Sequence, residues 1–479
     1  MRHILGVSSR CRTWLVISLS ACCIALAAGC GSDDGGGATV DDTPWAPGIA
    51  FRTSNEISED GFLDRRGLIH MHSYYSHDAC DDMPIVDGVR DEVCFDDLRR
   101  GICQTRHDFI MFTDHPSDFS STEFPDTLLY RPERGDELVD HANGPTASWA
   151  ACPDDEPTLI LAGAESQQVM PVGLELHVAD SVEERNAIYS SASNEAAATL
   201  KQHGAVVQLA HTENWTPEQL RDRDINGFEM FNLHANLLLP RALGKAVQLL
   251  IRVGQNDPGL AHPDLLLLYI ITEDPAYLSR WGSTLALGAR RTTTLGTDAH
   301  RNTLPTLLSD GERVDSYRRL MLWFSNHLLI ETEANGSWDD RHVKEALRAG
   351  RLYGAFEMLG YPVGFDYSAV VDGMRMPMGS EVMLGDAPVL EVQAPAVQNL
   401  GEDREPPMLT VRLLRAIEGG FTEVASGPAH LSFVPTEPGA YRAEVRMVPL
   451  HLRAEMNADA DELLGRDYVW IYSNAIYVR

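Results

Sequence analysis

His70 and His72 stand two residues apart, directly after the short apolar run Gly67-Leu-Ile. At an extended strand end, alternate residues face one side, so both imidazoles can reach one ion. The chain continues Ser73-Tyr-Tyr-Ser76-His77-Asp78, which adds a third candidate ligand. The spacing favours Asp78 over the adjacent His77. Asp114 and His115 follow Phe109-Ile-Met-Phe-Thr, and Glu165 closes Thr158-Leu-Ile-Leu-Ala-Gly-Ala. An acid at the end of so apolar a run is costly unless it is paired or bound to metal, and its two oxygens can bridge two cations. His177 follows Gly173-Leu-Glu-Leu, and His211 follows Ala205-Val-Val-Gln-Leu-Ala. Neutral imidazoles suit Zn, Mn or Fe. Asp298 and His300, after Thr292-Thr-Thr-Leu-Gly-Thr, again place two ligands on one face. Each element alone reads equally well as a satisfied core pair or a surface loop. Their recurrence at one strand end after another points to a multinuclear metal centre, and such centres activate water for hydrolysis.

The elements that must position these residues alternate. Short apolar strands are separated by helix-like stretches such as Phe95 to Arg106 and Asn194 to Gln202. That alternation predicts a parallel sheet. Polar groups gathered at the C-terminal ends of such strands predict a (β/α) barrel over residues 56–370. After residue 380 the strands alternate apolar and charged residues, as in Tyr441-Arg-Ala-Glu-Val-Arg-Met. This predicts a small antiparallel β-sandwich over residues 380–479.

The chain has 479 residues, with 70 acids against 39 Lys and Arg and a formal charge of -31. Such an excess argues against a nucleic-acid partner, which is bound through Lys and Arg. Arg2, Arg10 and Arg12 precede an apolar run from Trp14 to Ala28, which predicts a secretory signal over residues 1–29. Leu26-Ala-Ala-Gly-Cys30 resembles the bacterial lipoprotein box, which implies lipid on Cys30 and attachment to a membrane, with the outer membrane favoured. Residues 30–55 read as a flexible tether. Four cysteines remain, Cys80, Cys94, Cys103 and Cys152. Export predicts two disulfides. Three connectivities are open, of which Cys80–Cys94 and Cys103–Cys152 are favoured. The cysteines lack the paired spacing of a zinc site.

In order, the set His70-x-His72-Ser-x-x-Ser-x-Asp78, Thr113-Asp114-His115, Gly163-x-Glu165, His177, Ala210-His211 and Asp298-Ala-His300 resembles the polymerase and histidinol phosphatase (PHP) family of metal-dependent phosphoesterases. The resemblance spans residues 62–365. It implies a distorted (β/α)7 barrel holding two or three divalent ions such as Zn, Mn or Fe. By that resemblance His70, His72, Glu165 and Asp298 would hold one ion. Glu165, His177 and His211 would hold a second, and Asp78, His115 and His300 a third. Asp114 would orient a ligand, and Arg301 could bind phosphate. The expected activity is hydrolysis of a small phosphate mono- or diester by a metal-activated water. An amidohydrolase-like enzyme is a second reading, although no Lys stands at a strand end. A metal-bearing surface protein without activity is a third. The segments Pro116–Cys152 and Asn232–Arg291 exceed simple connections and are expected to rise over the barrel mouth. His107, His203, His234 and His262 are expected to be structural or exposed.

Overall fold

The apolar runs do form strands, because β-branched and aromatic residues fit a buried pleated surface. The computed structural model describes residues 43–479. In chain order the strands nearest the candidate ligands are β1 (Leu63–Met71), β2 (Phe109–Asp114), β3 (Thr158–Ala164), β4 (Met170–Leu174), β5 (Val206–Gln208), β6 (Gly227–Asn232), β7 (Thr292–Ala299), β8 (Ser325–Ile330) and β9 (Leu352–Ala355). The C-terminal strands used below are β10 (Met408–Ile417), β11 (Gly420–Gly427), β12 (Gly439–Val448) and β13 (Tyr468–Ser473). The helices that matter here are α1 (Glu92–Thr105), α2 (Leu233–Leu238) and α3 (Pro240–Gly254).

The expected (β/α)7 barrel with a separate β-sandwich is not what these strands build. They belong to one mixed sheet of 17 strands, accompanied by several small sheets. The order β6–β7–β1–β2–β3 is parallel throughout. Then β4 pairs antiparallel with β3, and β5 antiparallel with β4. The chain between β3 and β4 is only residues 165–169, too short for the crossover that a parallel partner needs. On the other side, β8 runs antiparallel to β1 and β9 antiparallel to β8. The ladder continues from β9 to β13, then through β12 and β10 to β11, antiparallel at each step. The strands expected to form a barrel and those expected to form a sandwich therefore share one hydrogen-bonded sheet, and Asp42–Arg479 form one compact unit. A four-stranded antiparallel sheet of Asp366–Val371, Met374–Pro377, Val389–Gln393 and His430–Phe433 accompanies it. Runs buried on both faces reveal that strands are internal but not which way they run.

Close approach is built into β1. A Cβ on Gly67 would sit 2.3 Å from the Phe109 carbonyl oxygen, so only glycine lets β1 and β2 lie this near. At the other flank, the Leu209 amide donates to the Gly227 carbonyl (3.0 Å) and the Glu229 amide to the Leu209 carbonyl (2.9 Å). These bonds bring the end of β5 beside β6.

Both favoured disulfides form, Cys80–Cys94 and Cys103–Cys152. The first ties the turn after Asp78 to the first residues of α1, and the second ties the last turn of α1 to the segment after residue 150. The signal segment 1–29 and the lipid site Cys30 lie outside the described residues. The described end of the expected tether is packed, with Trp45 and Phe51 buried in the core. Among the described residues no helix is long and apolar enough to cross a membrane.

Candidate metal centre

Strand ends deliver the candidate ligands, but strained backbone aims them. His70 has φ 71°, His211 φ 50° and Asp298 φ 53°. Residues other than glycine seldom adopt this left-handed region, and each instance costs about 1–3 kcal/mol. Beside His70, the register of β1 against β7 slips between Ile69 and Met71. His70 and His72 are thus presented by a kink, and simple alternation along an extended strand does not describe them.

The side chains converge in three overlapping groups: His72, Asp78, His115 and His300; His70, His72 and Glu165; His70, His211 and Asp298. Asp298 Oδ1 lies 3.2 Å from both His70 Nε2 and His72 Nε2, and Asp298 Oδ2 lies 3.3 Å from His211 Nε2. Glu165 Oε2 lies 3.3 Å from His115 Nδ1 and 4.0 Å from His72 Nε2, while its Oε1 is 3.9 Å from His211 Nε2. Asp78 Oδ2 lies 3.0 Å from His115 Nε2 and 3.3 Å from His300 Nε2. Donors about 2.1 Å from one tetrahedral ion lie about 3.4 Å apart, so this spacing suits shared ions. Burial gives a second test of fit. His70 Nε2, His72 Nε2, His300 Nε2 and Asp78 Oδ1 are buried and make no hydrogen bond. Buried polar atoms are rarely left so, and these four belong to the groups just described. The donor set therefore fits divalent ions that accept nitrogen and oxygen ligands.

Protonation behaves as expected of a pocket that attracts cations. Burial opposes the charged form of His70, yet Glu229 and Asp298 outweigh it and hold its pKa well above the usual value. Burial likewise opposes charge on His115 and His211, but hydrogen bonds to Asp78 and Glu165, and to Asp298 and Glu213, raise each to about 10. His72 goes the other way, down to about 3, because burial and the neighbouring His300 both disfavour its charge. Asp298 is held well below the carboxylate range: burial would raise it, and His70 and His211 more than compensate.

The second nitrogens of the rings are fixed, as metal-binding histidines require. His70 Nδ1 lies 2.6 Å from Glu229 Oε1, His72 Nδ1 3.0 Å from Ser76 Oγ, and His300 Nδ1 2.8 Å from the Asp298 carbonyl. Glu229, fully buried in β6, was not singled out from the sequence. It also accepts from Asn232 Nδ2 at 2.9 Å. An acid inside Gly227-Phe-Glu-Met-Phe-Asn is the signal that could have found it. Gly296 makes its room, because a Cβ there would lie 1.8 Å from Glu229 Oε1. Asp78 is pinned from behind, where the Cys80 amide donates to the His300 carbonyl and the Asp81 amide to the Arg301 carbonyl, each at 3.1 Å.

The remaining candidates divide. Asp114 binds no group of donors. It accepts from the Ser73 amide (2.7 Å) and hydroxyl (2.6 Å), fixing the backbone next to His72, and burial raises its pKa to about 6. Arg301 is tied by ion pairs to Asp97 (2.8 Å) and Asp81 (3.5 Å), which competes with phosphate binding. His77 pairs with Asp118 on the surface, leaving Asp78 to face the cluster. His177 is not brought in. Its Nε2 lies 2.9 Å from the Thr122 carbonyl and its Nδ1 3.1 Å from the Tyr189 hydroxyl. Because β4 runs opposite to β3, the chain leaves Glu165 behind before it reaches His177. His234, set aside from the sequence, stands half-exposed with Nδ1 3.7 Å from Asp298 Oδ2. A further group, His141, Asp339 and Asp340, is neutralised by Arg341 and Lys344.

Comparison of the chain with family models, with curated proteins and with solved structures finds no match in any of the three.

Proposed function

We propose that the chain is a metal-dependent hydrolase of phosphate esters, in keeping with the ordered motifs that resemble the PHP phosphoesterases. The observation that carries the reading is the convergence of buried, unpartnered imidazole nitrogens on shared carboxylates. Divalent cations bound there would supply a water acidic enough to attack near neutral pH and would balance charge on the phosphate. The chain's own residues do the rest. His70, His72 and Asp298, with side chains at most 4 % exposed, keep the inner side dry. Asp78 and His115, 30 % and 25 % exposed, border solvent, so an ester arrives on their side. Glu165 lies between the groups and can serve both. His234 Nδ1, beside Asp298 and open to solvent, is placed to exchange a proton with a leaving group. The two disulfides fit the oxidising compartment that export would provide.

Phosphatase and phosphodiesterase assays with Mn2+ or Zn2+ test this. His70→Ala and Asp298→Ala are each expected to lower kcat/KM by at least a hundredfold. Phosphate release that survives both substitutions contradicts the proposal, and amide hydrolysis in place of phosphate release would favour an amidohydrolase-like enzyme.

A further inference from the structure

A cavity of about 370 Å3 opens beside Asp298 and His300. Its polar end is the donor cluster itself, since Asp78, Asp298, His300 and His234 line it. Arg301, Asn302, Thr303 and Asp315 also border it, and most of the rest of its lining is apolar. α3 contributes Ala246 and Leu250, the buried segment after Leu265 contributes Leu267 and Ile270, and Trp323 closes one side. One further observation points to a ligand. At the mouth, Leu238, Leu243 and Val247 are 63 %, 51 % and 50 % exposed. Apolar side chains gathered at the rim of a cavity mark a binding site more often than a bare surface.

We propose that this cavity receives the alkyl chain of an amphiphilic substrate whose ester group lies on the donor cluster. The chain length that fits sets specificity, and His234 stands where head and chain meet. The assignment of the head as phosphate rests on the function proposed above, whereas the assignment of the chain rests on the cavity alone.

The test is calorimetric titration of the Mn2+-loaded protein with n-alkylphosphonates of increasing length, ethyl to dodecyl, and with n-alkanols of the same lengths. Affinity is expected to rise about three- to fourfold per methylene and then level off once the cavity is full. In Ala246→Phe and Leu250→Trp, both checked for an unchanged melting temperature, the rise is expected to stop several carbons earlier. Equal affinity for ethyl- and decylphosphonate in the unaltered protein would overturn the proposal, and that comparison stands even if the variants fail to fold. A rise with both phosphonates and alkanols, but no phosphate release from alkyl phosphates, would support the cavity assignment and remove the phosphoesterase reading.

Discussion

At the scale of single residues, the candidate centre depends on groups outside the donor cluster. Glu229 holds His70, and Gly296 holds a space for Glu229. Gly296→Ala must displace that carboxylate and with it the imidazole, so metal affinity is expected to fall ten- to a hundredfold. Competition against a chelating dye measures this, and an unchanged affinity would show that Glu229 does not set His70. His327 gives a separate prediction about pH. Burial would depress its pKa, but Asp64 and Glu357, at 3.0 Å and 3.2 Å, outweigh burial and raise it to about 9. A raised folded-state pKa stabilises fully below the unfolded value near 6.5, and the gain is lost as pH rises through about 9. His327→Gln is therefore expected to cost on the order of 3 kcal/mol at pH 6 and almost nothing above pH 9.5. Urea unfolding at the two pH values checks it. Most members of the converging cluster were legible in the sequence because a polar side chain that ends an apolar run needs a reason. His177 satisfies the same rule and finds its partners elsewhere. Glu229 escaped because it sits inside its strand and not at the end, where the other cluster members stand.

At the scale of elements, the Cys80–Cys94 bridge closes a separation of 14 residues next to Asp78 and Cys103–Cys152 one of 49. Chain entropy assigns them about 3 and about 4 kcal/mol. Removing Cys80 and Cys94 together is expected to lower both stability and metal affinity, since Asp78 lies two residues away. Removing Cys103 and Cys152 is expected to lower stability alone. Denaturant titration and metal binding on the two double variants separate the effects. Equal metal affinity in both would mean that the bridge does not hold the Asp78 turn. Strand positions were readable from apolar runs and turn residues. Strand directions were not, because β4 and β5 look internal whichever way they run. The antiparallel steps at β3–β4–β5 and β1–β8–β9 turned an expected barrel into a mixed sheet.

At the scale of the whole molecule, the donors come from residues as far apart as His70 and His300, so the site exists only when the chain between them is folded. The C-terminal strands read from their alternation as a small sandwich packed on or tethered to a barrel, yet β9 and β13 knit them into the same sheet. That pairing joins distant segments, and nothing in either strand's own pattern announces its partner. Elemental analysis of protein purified without chelator tests most directly whether the buried imidazoles and carboxylates hold ions. At least two divalent transition-metal ions per chain are expected; fewer than one would contradict the proposed metal centre.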